Sequence, residues 1–142
     1  MGVLDSMSAL TDRRLLRRET ATVTYLEPLA LSDHPRLRCA FTTRHAGRSG
    51  QSLNLSFDKG ERTAVLAHRQ RVLQALELEQ TTLCTVRQVH GNQVCSIDAA
   101  MLQRGLTGIA ADALVTNLPQ VALGVLVADC LPIACSMPST LL

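Results

Sequence analysis

The residues able to do chemistry near neutral pH fall at three places in the chain. His90 lies in Arg87-Gln-Val-His-Gly-Asn92. Gly91-Asn92 favours a tight turn, so the His90 imidazole projects from a strand end. There it suits metal binding or acid–base work. The second place is Asp129-Cys130-Leu131-Pro132, directly after the apolar stretch 121–127. Polar groups at the end of a buried strand sit where loops build sites. A cysteine and a histidine are natural zinc ligands, yet they also form the nucleophilic pair of thiol hydrolases. A free cysteine is most often just a small buried hydrophobe, which is the reading for Cys39, Cys84 and Cys95, each inside an apparent strand, while Cys135 is ambiguous. Forty positions separate His90 from Cys130, so spacing alone does not choose among these. The third place is Arg44, in Phe41-Thr-Thr-Arg-His-Ala-Gly47, where a strand opens into a glycine-containing loop. A guanidinium fork beside loop N–H groups suits a phosphate or carboxylate, against the plainer reading of a solvated loop arginine. His34, His45 and His68 read as ordinary polar positions, the last on the polar side of a helix.

The elements that must carry these residues follow from the pattern of side chains. Residues 22–26 are β-branched and aromatic and end at Pro28, which predicts a strand. Residues 37–42 predict a second, and the Gly-, Ser- and Arg-rich stretch 44–52 a loop. The clearest helix covers 63–79, where Val65, Leu66, Val72, Leu73 and Leu76 recur at helical spacing. Short strands are expected at 83–89 and 93–97 around His90, then at 113–116 and 121–127. Strands with a helix between them predict a mixed α/β fold of layered sheets with flanking helices. Residues 1–20, with Arg13-Arg14-Leu15-Leu16-Arg17-Arg18, read as a basic N-terminal tail, and 21–142 as the domain.

Composition narrows the function classes. The chain has 142 residues, of which 46% are hydrophobic, a length and an apolar share normal for one globular domain. Aromatic residues make up 2%, with no tryptophan, so stacking platforms for single-stranded nucleic acid are lacking. A net charge of +2 gives no reason to expect a nucleic-acid partner. The longest apolar run, 121–128, is far short of the roughly 20 residues a membrane-spanning helix needs. Five cysteines without a C-x-x-C pair, and no export signal at the N-terminus, read as reduced thiols of a cytoplasmic protein.

Four segments together resemble one family, the YfiH-like proteins, described as polyphenol-oxidising laccases and also as zinc purine nucleoside phosphorylases. Phe41-Thr-Thr-Arg44 with Gly47 and Ser49, then Ser52-Leu-Asn-Leu55, resembles its first block. Gln88-Val-His-Gly91 resembles the block with its first metal-binding histidine. Ala111-Asp-Ala-Leu-Val-Thr116 and Ala128-Asp-Cys-Leu-Pro132 resemble the next two, in matching order over residues 37–135. The resemblance implies zinc as cofactor, His90 and Cys130 as metal ligands, and Arg44 and Asn54 as catalytic contacts to substrate or phosphate. It implies phosphorolysis of adenosine, inosine and methylthioadenosine, with adenosine deamination, and purine nucleosides and phosphate as the molecules bound. Copper in place of zinc is the other metal the family's names allow.

The chain departs from the family at several positions. Ala46 stands where the family usually has Gly, Arg48 where it has Val, and His68-Arg69 where it has Asn-Arg. No histidine follows His90 and the segment Ser136-Met-Pro-Ser-Thr-Leu-Leu142 has no counterpart in the family, whose second metal-binding histidine lies in a His-Ala-Gly-Trp-Arg-Gly type block. The expectation is therefore a C-terminally truncated domain with a weakly held metal and impaired turnover. The alternatives are an inactive fragment, or a non-enzymatic interaction module using an exposed strand edge or the basic cluster.

Overall fold

A strand hairpin opens the N-terminal part of the computed structural model, which describes residues 14–136. The architecture is mixed α/β, with several small sheets and two helices. Backbone packing divides it into two compact units, one up to Glu77 and one from Leu78. Of the basic tail expected over 1–20, residues 1–13 lie outside the described residues. Leu15–Glu19 instead form strand β1, antiparallel to β2, Thr24–Pro28. The connecting turn is closed by Thr20, whose hydroxyl accepts from the Val23 N–H at 2.9 Å. Arg18 Nε donates to the Glu27 carboxylate at 2.9 Å across the pair, so a charged segment with no apolar periodicity is held mainly by its backbone ladder.

β2 pairs on its other edge with β3, Phe41–Thr42, again antiparallel. The strand expected over 37–42 is this short because only Tyr25 and Leu26 face it, and Arg38 turns its guanidinium onto the carbonyls of His34 and Leu37. Cys39 is accordingly half-buried in irregular chain rather than inside a strand. The expected loop 44–52 contains a small ribbon of β4, His45–Ala46, and β5, Gln51–Ser52. Val23, Ala46 and Leu53 form the buried centre of the unit, with Tyr25, Leu55, Val72 and Ala75 against them.

The helix α1 spans Arg62–Ala75 and seats Val65 in the interior. It ends before the predicted residue 79 because Glu77 adopts a left-handed conformation, φ 58°, and its N–H turns back to the Gln74 carbonyl. Glu61 caps the N-terminus: its carboxylate accepts from the Ala64 N–H at 3.1 Å and from the Thr63 hydroxyl. Those bonds, the Thr63 hydroxyl foremost, hold the Glu61 carboxyl below its ordinary value. A depressed carboxylate stabilises the fold above its unfolded pKa, about 4.3, and that contribution is lost as pH falls through the lower folded value. In an acid titration followed by far-UV circular dichroism, Glu61→Gln is expected to lose less helix than the wild type between pH 4.5 and the folded value. Equal acid limbs in the two proteins would refute this cap.

In the C-terminal unit, β6, Thr82–Thr85, is followed by β7, Val94–Ser96. A second helix, α2, Ala99–Arg104, is capped by Asp98 accepting from the Met101 N–H at 2.7 Å. It leads to β8, Ala113–Val115, and then β9, Val121–Gly124. β6 pairs with β9 and β7 with β8, both in parallel. Cys84, Cys95, Ile97 and Ala111 are its buried core, which Met101, Leu102 and Leu114 help cover. Burial pushes the Cys84 thiol up, which keeps it protonated and inert. The strand expected over 121–127 stops at Gly124 because β6 ends at Thr85; the chain beyond turns away, with Arg87 bridging to Ala110. Among the described residues no helix is long and apolar enough to cross a membrane.

Candidate functional site

His90 sits at the top of a loop that one carboxylate holds together. The loop joins β6 to β7, and His90 adopts a left-handed conformation, φ 56°, unusual for a residue with a side chain. Asp112, just before β8, reaches into it. Its Oδ1 accepts from the Val89 N–H at 3.1 Å and its Oδ2 from the Gln93 N–H at 3.3 Å. In return the Gln93 carbonyl accepts from the N–H groups of Asp112 and Ala113, at 2.8 and 3.1 Å. Burial pushes the Asp112 carboxyl up, but the N–H groups of Gly91, Val89, Gln93 and His90 together outweigh it and keep it ionised. A ring of backbone N–H groups around a carboxylate is a small anion nest. Gly91 closes it, since a Cβ there would stand 3.2 Å from Asp112 Oδ2. Asp112 therefore fixes where the exposed His90 imidazole projects.

Cys130 lies after β9 and is exposed, its sulfur 3.9 Å from the Asp129 carboxylate. The parallel register of β6 and β9 starts the loops that carry these two distant residues from the same sheet end. Thr85 and Gly124 are partners at the ends of their strands, and parallel strands deliver their following loops to the same end of a sheet. His90 follows Thr85 by five positions and Cys130 follows Gly124 by six. Ligands in α/β proteins characteristically bind outside the carboxyl ends of parallel strands. An exposed thiol and an exposed imidazole are the donor chemistry zinc takes. Among the described residues, no three His, Cys, Asp or Glu side chains are grouped to hold an ion. The donor types fit a metal, but the described residues form no closed set of donors.

In the N-terminal unit, Arg44 is exposed beside the β4–β5 ribbon, with its Nε donating to the Ser52 hydroxyl at 3.3 Å. Asn54 is half-buried, and both ends of its amide are engaged locally. Its Oδ1 accepts from the Ser56 N–H at 3.0 Å, and its Nδ2 donates to the Lys59 carbonyl at 3.3 Å. Gly60 makes room for it: a Cβ at that position would lie 2.4 Å from Asn54 Nδ2. Helix α1 clamps the same segment. His68 Nδ1 lies 3.1 Å from the Asn54 backbone nitrogen and 3.0 Å from its carbonyl oxygen, accepting or donating according to tautomer. Arg69 donates from Nε and Nη2 to the Leu55 carbonyl, at 2.9 and 2.7 Å, while its guanidinium lies over the Phe57 ring. Burial lowers the pKa of that guanidinium. His68 is thus a half-buried clamp rather than a helix-surface residue, and Arg69 shares that work. A cavity of about 340 Å³ in this unit is lined by Arg18, Tyr25, Glu27, Arg38 and Cys39 among others, and by none of the four candidate residues.

Comparison with known proteins decides the ancestry. The family model described as multi-copper polyphenol oxidoreductase laccase matches residues 38–140. The chain belongs to this family. A purine nucleoside phosphorylase of Corynebacterium glutamicum is 39% identical over 105 residues, which are 70% of this chain and 42% of that protein. Purine nucleoside phosphorylases of Mycobacterium tuberculosis and Streptomyces coelicolor are each 34% identical, over 69% of this chain and 40% and 41% of their own lengths. The laccase-family chain thus spans about two-fifths of the length of the curated relatives it matches. No solved structure gives a significant match. The match covers all four candidate residues, Arg44, Asn54, His90 and Cys130, and also Asp112, His68 and Arg69, which sequence reasoning gave no structural part. The signal for Asp112 was present: an acidic residue directly before an apolar strand, in the segment 111–116 that resembles the family block after the histidine block.

Proposed function

We propose that this chain carries part of the site of a zinc-dependent purine nucleoside phosphorylase, cleaving adenosine, inosine and methylthioadenosine with phosphate and also deaminating adenosine. The observation that supports it most is the parallel pairing of β6 and β9 in a chain of this family, which sends the His90 and Cys130 loops to one sheet end. In this reading His90 and Cys130 are the metal ligands contributed by the chain. Bound there, zinc would supply a Lewis acid for a substrate oxygen or an activated water. Asp112 keeps the His90 loop shaped for its ligand. Arg44 offers its fork to phosphate and stabilises developing negative charge; Asn54, whose amide bonds the Ser56 N–H and the Lys59 carbonyl, would contact substrate only by giving up one of those bonds. Two protein donors hold zinc less tightly than the usual three of a catalytic site, so turnover by this chain alone is slow.

Base release from inosine, measured with zinc present, tests the proposal. The expected result is slow hypoxanthine formation that requires phosphate and falls at least about tenfold in His90→Ala and in Arg44→Ala, the range expected when a residue of the reacting site is removed. Absence of phosphate-dependent release, or release unchanged in both variants, would contradict the proposal.

A further inference from the structure

The cavity of the N-terminal unit sets a balanced group of charges beside a small apolar wall. Arg18 lies opposite Tyr25 across the β1–β2 pair and Glu27 follows two residues on, so the three side chains share one face of the sheet. The irregular chain after β2 adds Arg38 and Cys39, and the end of α1 adds Ala75, Leu76 and Glu77. Two guanidinium and two carboxylate groups therefore line one space of about 340 Å³. That is the small end of ligand pockets, which run from roughly 300 to 1,000 Å³.

Glu27 is under-used for its burial. Its side chain is 12% exposed, yet it accepts one bond, from Arg18 Nε to Oε2 at 2.9 Å. A carboxylate can accept about four. Among the described residues Oε1 accepts none, and no enclosed side-chain oxygen of theirs lacks a partner, so Oε1 meets the solvent of the cavity. A carboxylate so placed suits an ammonium group. The Tyr25 phenol is raised by burial, with Glu27 and Glu77 adding to the effect, so both carboxylates act at its hydroxyl, which stays neutral. Arg38 anchors Nη1 on the carbonyls of His34 and Leu37, and its Nε–Nη2 edge is the one that takes a carboxylate side-on. We propose that this cavity binds a free aliphatic α-amino acid, its ammonium on Glu27 and Glu77, its carboxylate on Arg38 and its side chain against Ala75 and Leu76. A zwitterion answers both signs of charge in the wall, where a simple anion or cation answers one. The site uses none of Arg44, Asn54, His90 or Cys130, so it stands apart from the zinc reading.

Titration calorimetry of the full chain with L-leucine, in chelator and without phosphate, tests the proposal. One equivalent should bind with a Kd of about 1 mM, ordinary for so small a ligand. 4-Methylpentanoate lacks the ammonium and 3-methylbutylamine lacks the carboxylate, and each should bind at least about tenfold more weakly. Glu27→Gln and the exposed-site variant Arg38→Gln should each weaken leucine by a similar factor. Cys39 supplies a readout in the wild type that needs no variant to fold. Burial, with Glu27 adding to it, pushes its thiol up, so it reacts slowly with N-ethylmaleimide. Leucine should slow that reaction further, by peptide mass mapping, and leave the exposed Cys130 and Cys135 unaffected. No saturable binding of leucine, binding that leaves Cys39 unprotected, or an analogue with one charge binding as well as leucine would each overturn the proposal. Displacement of leucine by inosine would overturn it too, by giving the cavity to a nucleoside.

Discussion

Gly47→Ala is expected to destabilise the N-terminal unit by about 2–4 kcal/mol, the sum of a left-handed backbone strain and an overpacked contact. Gly47 has φ 55°, and a Cβ built on it would lie 2.4 Å from the Thr20 carbonyl oxygen and 2.8 Å from both the Ala21 carbonyl carbon and the Thr22 nitrogen. All three are backbone atoms of the β1–β2 turn, so no rotamer change relieves the contact. That turn is itself fixed by bonds between Thr20 and Val23, and Val23 and Ala46 flank the clash as fully buried core residues. Moving either side opens the core. Gly50 is the internal control: its φ is also positive, 68°, but nothing lies within 4 Å of its Cβ position. Gly50→Ala should cost only the conformational part, about 1–2 kcal/mol. Tyr25, the one tyrosine of a chain without tryptophan, packs against this core and reports the urea transition by its fluorescence. Equal midpoints for the two alanine variants would show that the close approach to the turn does not matter.

Asp112→Ala should have the largest effect on the His90 loop. The carboxylate gathers the N–H groups of Val89, His90, Gly91 and Gln93 around the left-handed turn at His90. Without it those amides turn to solvent, and their hydrogen exchange should rise while that of Cys84 in the core stays slow. If His90 is a ligand, zinc affinity should fall by about 10–100-fold, the usual loss when a residue that orients a ligand is removed. Asp112→Asn keeps the shape but halves the acceptor capacity, and is expected to fall between. Unchanged exchange at 89–93 in the alanine variant would remove Asp112 from the account.

The sequence pattern revealed the long elements and missed what depends on pairing. Helix α1 announced itself through Val65, Val72 and Leu76, and only its end was misjudged, because the reversal at Glu77 is a backbone event without an apolar signature. Strand β1 was invisible, since Leu15–Glu19 carries charged side chains and its order comes from the ladder with β2. Helix α2 was overlooked for its shortness, although Asp98 and Gly105 bracket it as cap residues should. At the site, His90 and Cys130 were legible as chemistry, but their common sheet end was not, because a parallel β6–β9 pair joins segments 39 positions apart. Asn54 was legible only through the family pattern, and its amide proves to be spent on its own loop. Asp112 and His68 act through backbone atoms, a kind of contact that leaves no periodicity to read.

Titration with cobalt(II), a spectroscopic stand-in for zinc, tests the central claim most directly. The wild-type chain should take up one equivalent and develop a thiolate-to-cobalt charge-transfer band. That band should vanish in Cys130→Ser, weaken strongly in His90→Ala and persist in Cys135→Ser, which removes the other exposed thiol. A chain that shows no such band, or a band that survives Cys130→Ser, would contradict the assignment of His90 and Cys130 as its metal ligands.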